Sequence, residues 1–241
     1  MKINVRNTLE FFDERPAGSK GHATGIMSLI GEDLGVGLLK HYLESQDAQV
    51  HILNERPRSG SVDDSVRAQL PNTKVRPELD YWVDVVRPNG SATLFQVEVK
   101  SWAAWAIGGR VLNVDASPDS ARAFRQERWK WYGWEQVRPG ASLRGPIWSA
   151  VKVLVPMRRP SGVAHPVEPL VSYWVALHPA GDDECLFPHK LPDGLPFSQV
   201  WVFSQSAYLR SLNLDELEVD TPNVSARVAW LRRISPSMFI Q

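Results

Sequence analysis

Asp80, Glu98 and Lys100 are the residues whose types and spacing point most directly to chemistry. They lie in PELDYWVDVVRPNGSATLFQVEVKSW, residues 77–102. Leu79, Tyr81, Val83 and Val85 alternate with Asp80, Trp82 and Asp84; after a turn, Phe95, Val97 and Val99 alternate with Gln96, Glu98 and Lys100. This period of two predicts two strands, with Gln96, Glu98 and Lys100 on one face. Arg87-Pro88-Asn89-Gly90-Ser91 is strong turn chemistry, and a hairpin would bring Asp80 beside Glu98. Two carboxylates converging in a fold repel each other, and burying them is costly unless something neutralises them. A divalent cation does so: Mg²⁺ takes a few carboxylate oxygens, keeps several waters and completes its shell from substrate phosphate. A neighbouring lysine could then position an attacking water or stabilise charge developing on a phosphoryl group. The alternative is a surface hairpin whose polar face carries a plain Glu–Lys pair.

Asp80, seventeen intervening residues, then Glu98-Val99-Lys100 resembles the signature of the PD-(D/E)XK superfamily, the restriction-endonuclease-like, metal-dependent phosphodiesterases. The chain departs from that signature in one respect: Pro77-Glu78-Leu79-Asp80 stands where the pattern has a direct Pro-Asp pair. The resemblance implies an α/β fold with an αβββαβ core over about 24–157. Its central mixed sheet would be flanked by helices and elaborated over about 158–241 by further strands and a helix of the same single domain. It also implies that Asp80 and Glu98 hold Mg²⁺ or Mn²⁺, helped by the Val99 carbonyl and by Glu32. Lys100 would orient water or stabilise charge, and Gln96, on the same face, would contact water or the scissile phosphate. Arg122, Arg125, Gln126 and Lys130, on the helix after the E-x-K strand, become the candidates for contacting nucleic acid.

Several elements must position these residues. From Thr24 to Ser45, Ile26, Ile30, Leu34, Leu38 and Tyr42 fall four apart, the stripe of an amphipathic helix. Gly31, Gly35 and Gly37 each weaken such a helix by roughly 0.8–1 kcal/mol, which points to close approach by a neighbour. Glu32 sits between two of these glycines and is expected to face inward. Ala48–Leu53 reads as a strand, and the polar stretch 56–76 as a long connection whose Arg56, Arg58, Arg67 and Arg76 could line a substrate groove. Ser117-Pro118-Asp119 has the capping residue, first-position proline and early acid of a helix start, and that helix is expected to run to about Val137. Ile147–Val155, Leu170–Leu177 and Val200–Phe203 read as strands, Ser204–Glu218 as helical and His178–Gln199 as loop. Val224–Ile234 fits helix or strand equally.

Composition describes an ordinary globular chain: 241 residues, 43% hydrophobic and 22% charged. The 27 basic residues balance 27 acidic ones, so net charge alone announces no nucleic-acid binder. Arginine, 19 of those 27 against 8 lysines, is the cation that matches phosphate oxygens bidentately. The lone Cys185 excludes an intramolecular disulfide and a cysteine zinc cluster. The charged N-terminal stretch is unlike a secretory signal, and no run reaches the ~18 apolar residues of a membrane span; a cytoplasmic protein is expected. The six histidines show no zinc spacing, and no G-x-S-x-G elbow or phosphate-binding glycine loop occurs. The function expected is metal-dependent hydrolysis of nucleic acid, DNA favoured, by a nuclease acting alone, as a homodimer, or within a defence or repair complex. The competing expectation is a catalytically silent interaction module on the same fold.

Overall fold

The structure is a computed structural model that describes residues 1–14, 20–72, 78–179, 185–221 and 223–224, with the backbone alone over 20–29. A short strand β1 (Lys2–Asn4) leads into helix α1 (Val5–Asp13), capped by the Asn4 side chain, which accepts from the Asn7 amide. The long helix α2 (Lys20–Glu44) follows, then strand β2 (Gln49–Leu53), the short helix α3 (Asp64–Gln69), and strands β3 (Tyr81–Val86) and β4 (Ala92–Lys100). Helix α4 (Pro118–Tyr132) starts where its capping signal lies: Ser117 Oγ accepts from the Ser120 amide, and Gly133 ends the helix in the left-handed conformation. Then come α5 (Pro146–Ala150), β5 (Val167–Tyr173), β6 (Leu186–Lys190), β7 (Gln199–Ser204), α6 (Gln205–Ser211) and β8 (Glu216–Glu218).

Six of the strands form one mixed sheet in the order β2-β3-β4-β5-β7-β6. β2, β3 and β4 make an antiparallel meander; β5 lies parallel to β4 and β7 parallel to β5, while β6 closes the edge antiparallel. The β3–β4 turn is pinned by Gly90 N–H to the Arg87 carbonyl at 2.9 Å, with Gly90 at φ +80°. Pro188 sits in β6, where an edge strand tolerates the missing N–H; its prolines made this stretch read as loop.

Helix α2 covers one sheet face. From 31 to 39 every residue except Glu32 is buried, so this half of the helix is apolar nearly all round. The glycines permit that depth: a Cβ on Gly35 would meet Val99 Cγ1 at 2.5 Å, and one on Gly37 would meet the Asp220 carbonyl at 2.3 Å. The other face of the sheet is covered by α4 and by the segment after α5. There the Tyr132 and Tyr173 rings lie 3.8 Å apart, and the Tyr132 hydroxyl donates to the Val175 carbonyl.

Ile147–Val155 is not a strand but α5 followed by a 3-10 turn over Val151–Leu154. Ile147, Ala150, Val151, Val153, Leu154 and Val155 are buried while Trp148 is exposed, and periodicity in so short an apolar run does not separate helix from strand. The strand that follows α4 in the sheet is therefore β5, beyond the expected core boundary at 157, and residues 167–204 contribute half of the six-stranded sheet. The helix expected over 204–218 stops at Ser211, and 224–234 falls outside the described residues except for Val224.

Candidate active site

The hairpin register pairs Tyr81 with Val97, which sets Asp80 opposite Glu98 one step further on. The Asp80 amide donates to the Val97 carbonyl at 3.1 Å, and Asp80 Oδ2 accepts from the Val99 amide at 2.8 Å. The ladder thus extends one residue past β3 and fixes the first carboxylate. Glu98 and Lys100 leave β4 on the face opposite α2, as their alternation with Val97 and Val99 requires.

Glu98 is completely buried. Lys100 Nζ donates to Glu98 Oε1 and lies 3.2 Å from the Val99 carbonyl. A second cation is present that the sequence reading did not single out: Lys152 Nζ stands 2.7 Å from Glu98 Oε2. The Lys100 and Lys152 side chains are 16% and 13% exposed, whereas that of Glu98 is wholly buried. Burial pushes the Glu98 carboxyl up to about 7; the Asp80 charge adds to the rise, and Lys100 and Lys152 oppose it. Tyr173, beside Lys100 on β5, forms one wall with Trp102 and Tyr132.

Lys152 was legible only as a lone charge within IWSAVKVLV, and that run read as a strand. What holds it in place is Gln96. The Gln96 amide donates to the Val153 and Val155 carbonyls, and its oxygen accepts from the Met157 amide at 3.2 Å. Gln96 lies on the expected face, but it is fully buried and three of its hydrogen-bonding positions are spent on this backbone. It staples the Lys152 segment to β4.

The inward orientation expected of Glu32 is not found. Glu32 is exposed, and its neighbour Asp33 turns inward, accepting from the Tyr81 hydroxyl at 2.5 Å, from Asn223 Nδ2 at 2.8 Å and from the Val224 amide. One step along a helix rotates a side chain by about 100°, and the amphipathic stripe did not settle which of the two acids takes the buried direction. Glu32 still acts on Tyr81: burial and the Asp33 hydrogen bond raise the Tyr81 hydroxyl pKa, and the Glu32 charge adds to them.

Asp80 and Tyr81 line a cleft of about 560 Å³ together with Lys40, His51, Asn54 and Arg56. Of the arginines expected near a groove, Arg56 is there; Arg58 instead pairs with Glu78 at 3.2 Å, and Arg67 lies in α3. Arg76 falls outside the described residues. On α4, Arg122, Gln126 and Lys130 share one stripe; Lys130 is exposed, and the half-buried Gln126 donates to the Pro179 carbonyl at 3.5 Å. Arg125 corrects the expectation. It is buried, and its charge acts on Asp13. Its spacing puts it within one turn of Arg122 and only about 60° round the helix from it, but that offset carries it onto the packed face, with Ala121, Phe124, Arg128 and Tyr132. Of the aromatic cluster on and just after this helix, Trp129, Tyr132 and Trp134 are core, and Trp131 is exposed.

The donor set fits a divalent cation in kind. Two carboxylates and the Val99 carbonyl converge, and Glu98 Oε2 accepts no hydrogen bond of good geometry although Lys152 stands close. Among the described residues no group of three His, Cys, Asp or Glu side chains gathers, so such an ion would draw the rest of its shell from water and substrate, as Mg²⁺ does. No helix among the described residues is long and apolar enough to cross a membrane. Comparison with family models, curated proteins and solved structures finds no match; the functional reading therefore rests on this geometry.

Proposed function

We propose that the chain is a metal-dependent phosphodiesterase of the restriction-endonuclease-like kind, acting on nucleic acid, with DNA favoured. The observation that carries this reading is the meeting of Asp80 and Glu98 from separate strands on one sheet face, beside Lys100 and the Val99 carbonyl. The element order supports it: with the short helices α3 and α5 set aside, helix α2, three antiparallel strands, helix α4 and a strand parallel to the third follow in sequence, compatible with the αβββαβ order the resemblance implied.

Asp80, Glu98 and the Val99 carbonyl would hold the ion, Mg²⁺ or Mn²⁺. Bound there, it would supply an activated water and neutralise charge on the phosphoryl oxygens. Lys100 would donate to the attacking water or to a phosphoryl oxygen, where its charge counts for more in a site shielded from water. Asp80 is held for this task by the Val99 amide, and Glu98 by the strand and by Lys152. Arg56 in the cleft beside Asp80, and the stripe of Arg122, Gln126 and Lys130, are the groups proposed to meet the nucleic-acid backbone.

A second reading, a silent interaction module, is favoured by one observation: Glu98 is wholly buried and flanked by two ammoniums. Incubating the protein with plasmid, linear duplex, single-stranded DNA and RNA, each with Mg²⁺, Mn²⁺ or excess EDTA, separates the two. Metal-dependent cleavage of any substrate supports the enzyme; binding without cleavage under every condition supports the module.

A further inference from the structure

We propose that Lys100 and Lys152 form a latch on Glu98 that keeps divalent metal out of the free protein and opens when a substrate phosphate draws the ammoniums away. The proposal rests on the phosphodiesterase reading and adds to it an order of events: substrate first, or substrate and metal together.

The geometry is specific. The Lys100 ammonium bonds Glu98 Oε1 and lies 3.2 Å from the Val99 carbonyl, two of the atoms that would coordinate the ion. A metal bonded to those oxygens at about 2 Å would stand almost on top of the ammonium, and two cations cannot share that place. Lys152 holds the other oxygen, 2.7 Å from Oε2. With Asp80, the cluster is two carboxylates and two ammoniums, so even with Glu98 ionised it presents no net negative charge to attract a free cation. A divalent ion entering it must first displace Lys100.

A phosphodiester can do this. It brings negative charge, and ammoniums on flexible stems bind phosphate readily as point charges. Both lysine side chains keep some exposure, 16% and 13%, and their flexible stems let the heads move without unfolding the strand. The Lys152 backbone stays in place because Gln96 clips the carbonyls of residues 153 and 155. By linkage, whatever moves the ammoniums onto phosphate must raise metal affinity, and metal must raise phosphate affinity by the same factor. Lys152 is therefore a positioning residue for Glu98, and its readout is metal affinity in the absence of any substrate.

The test is Mn²⁺ binding to the full chain, followed by the loss of the free-ion EPR signal, in 0.5 M KCl. At that ionic strength the screening length is about 4 Å, so general charge effects are suppressed and contacts within the cluster remain. Lys152→Met should bind Mn²⁺ at least tenfold more tightly than the wild type. Lys152→Arg, which keeps the charge on Glu98, and Lys190→Met, a charge loss on the exposed end of β6, should leave the affinity unchanged. The gain should vanish in Lys152→Met combined with Glu98→Gln. Lys100→Met carries the same expectation by the other route and decides the matter if Lys152→Met does not fold. If wild type and both methionine variants bind Mn²⁺ equally through Glu98, the latch is wrong while the metal reading stands. Absence of Glu98-dependent Mn²⁺ binding in every variant would overturn both.

Discussion

Replacing Glu98 with glutamine should flatten a loss of stability that the wild-type protein shows as pH rises from about 5 to about 8. Glu98 titrates near 7 in the folded chain against an ordinary 4.5, because burial and Asp80 disfavour its charge more than the two lysines favour it. Between those values the native state holds a proton that the unfolded chain has released, so stability falls as pH rises through this window. The full gap, at about 1.4 kcal/mol per pH unit, amounts to about 3 kcal/mol. No discount for solvent screening applies, since the side chain is fully buried. Other groups slope too. Asp13 is also raised by burial and acts in the same direction, whereas His189 is lowered by burial and by His178 and acts oppositely. Subtracting the variant's curve from the wild type's isolates Glu98. The assay is urea unfolding at pH 5, 6, 7 and 8 in chelator, for both proteins. Curves that run parallel across this range would show that the lysines already offset the burial, and the reasoning about this carboxylate would fail.

Two further substitutions test how the site is supported. Gln96→Leu leaves the Val153 and Val155 carbonyls and the Met157 amide without their buried partner, and at roughly 1–3 kcal/mol for each group left unmet the unfolding free energy should drop by about 3 kcal/mol or more. Gly37→Ala sets a Cβ 2.3 Å from the Asp220 carbonyl, and overpacking of this kind should cost about 1–3 kcal/mol, read from urea unfolding; an unchanged midpoint would mean that the 219–220 segment yields freely.

The sheet was legible where its strands alternate and opaque where they do not. β3 and β4 show period two and a glycine turn, so their pairing and the approach of Asp80 to Glu98 could be read from residue types alone. The start of α4 could be read because Ser117 and Pro118 are local signals. Residues 147–155 could not, because a short and mostly apolar run looks the same as helix or strand, and the error hid Lys152. The choice between Glu32 and Asp33 depended on Tyr81 and Asn223, 48 and 190 residues from Asp33 in the chain, and no local pattern reports such partners. Gln96 shows the same limit. Its face was right, but its partners lie in the segment after α5, 57 to 61 residues on, and made it a staple.

The central claim is that this cluster hydrolyses phosphodiesters with a divalent ion. It is tested most directly by single-turnover cleavage of the preferred nucleic acid in Mg²⁺, alongside a binding titration, for wild type, Glu98→Gln and Lys100→Met. Wild-type cleavage should stop in excess EDTA and be abolished by Glu98→Gln. In Lys100→Met the rate should fall roughly 10²–10³-fold, the usual cost of losing one charge-stabilising group, while binding persists. Wild-type cleavage that continues in EDTA, or Glu98→Gln cutting at the wild-type rate, would contradict it.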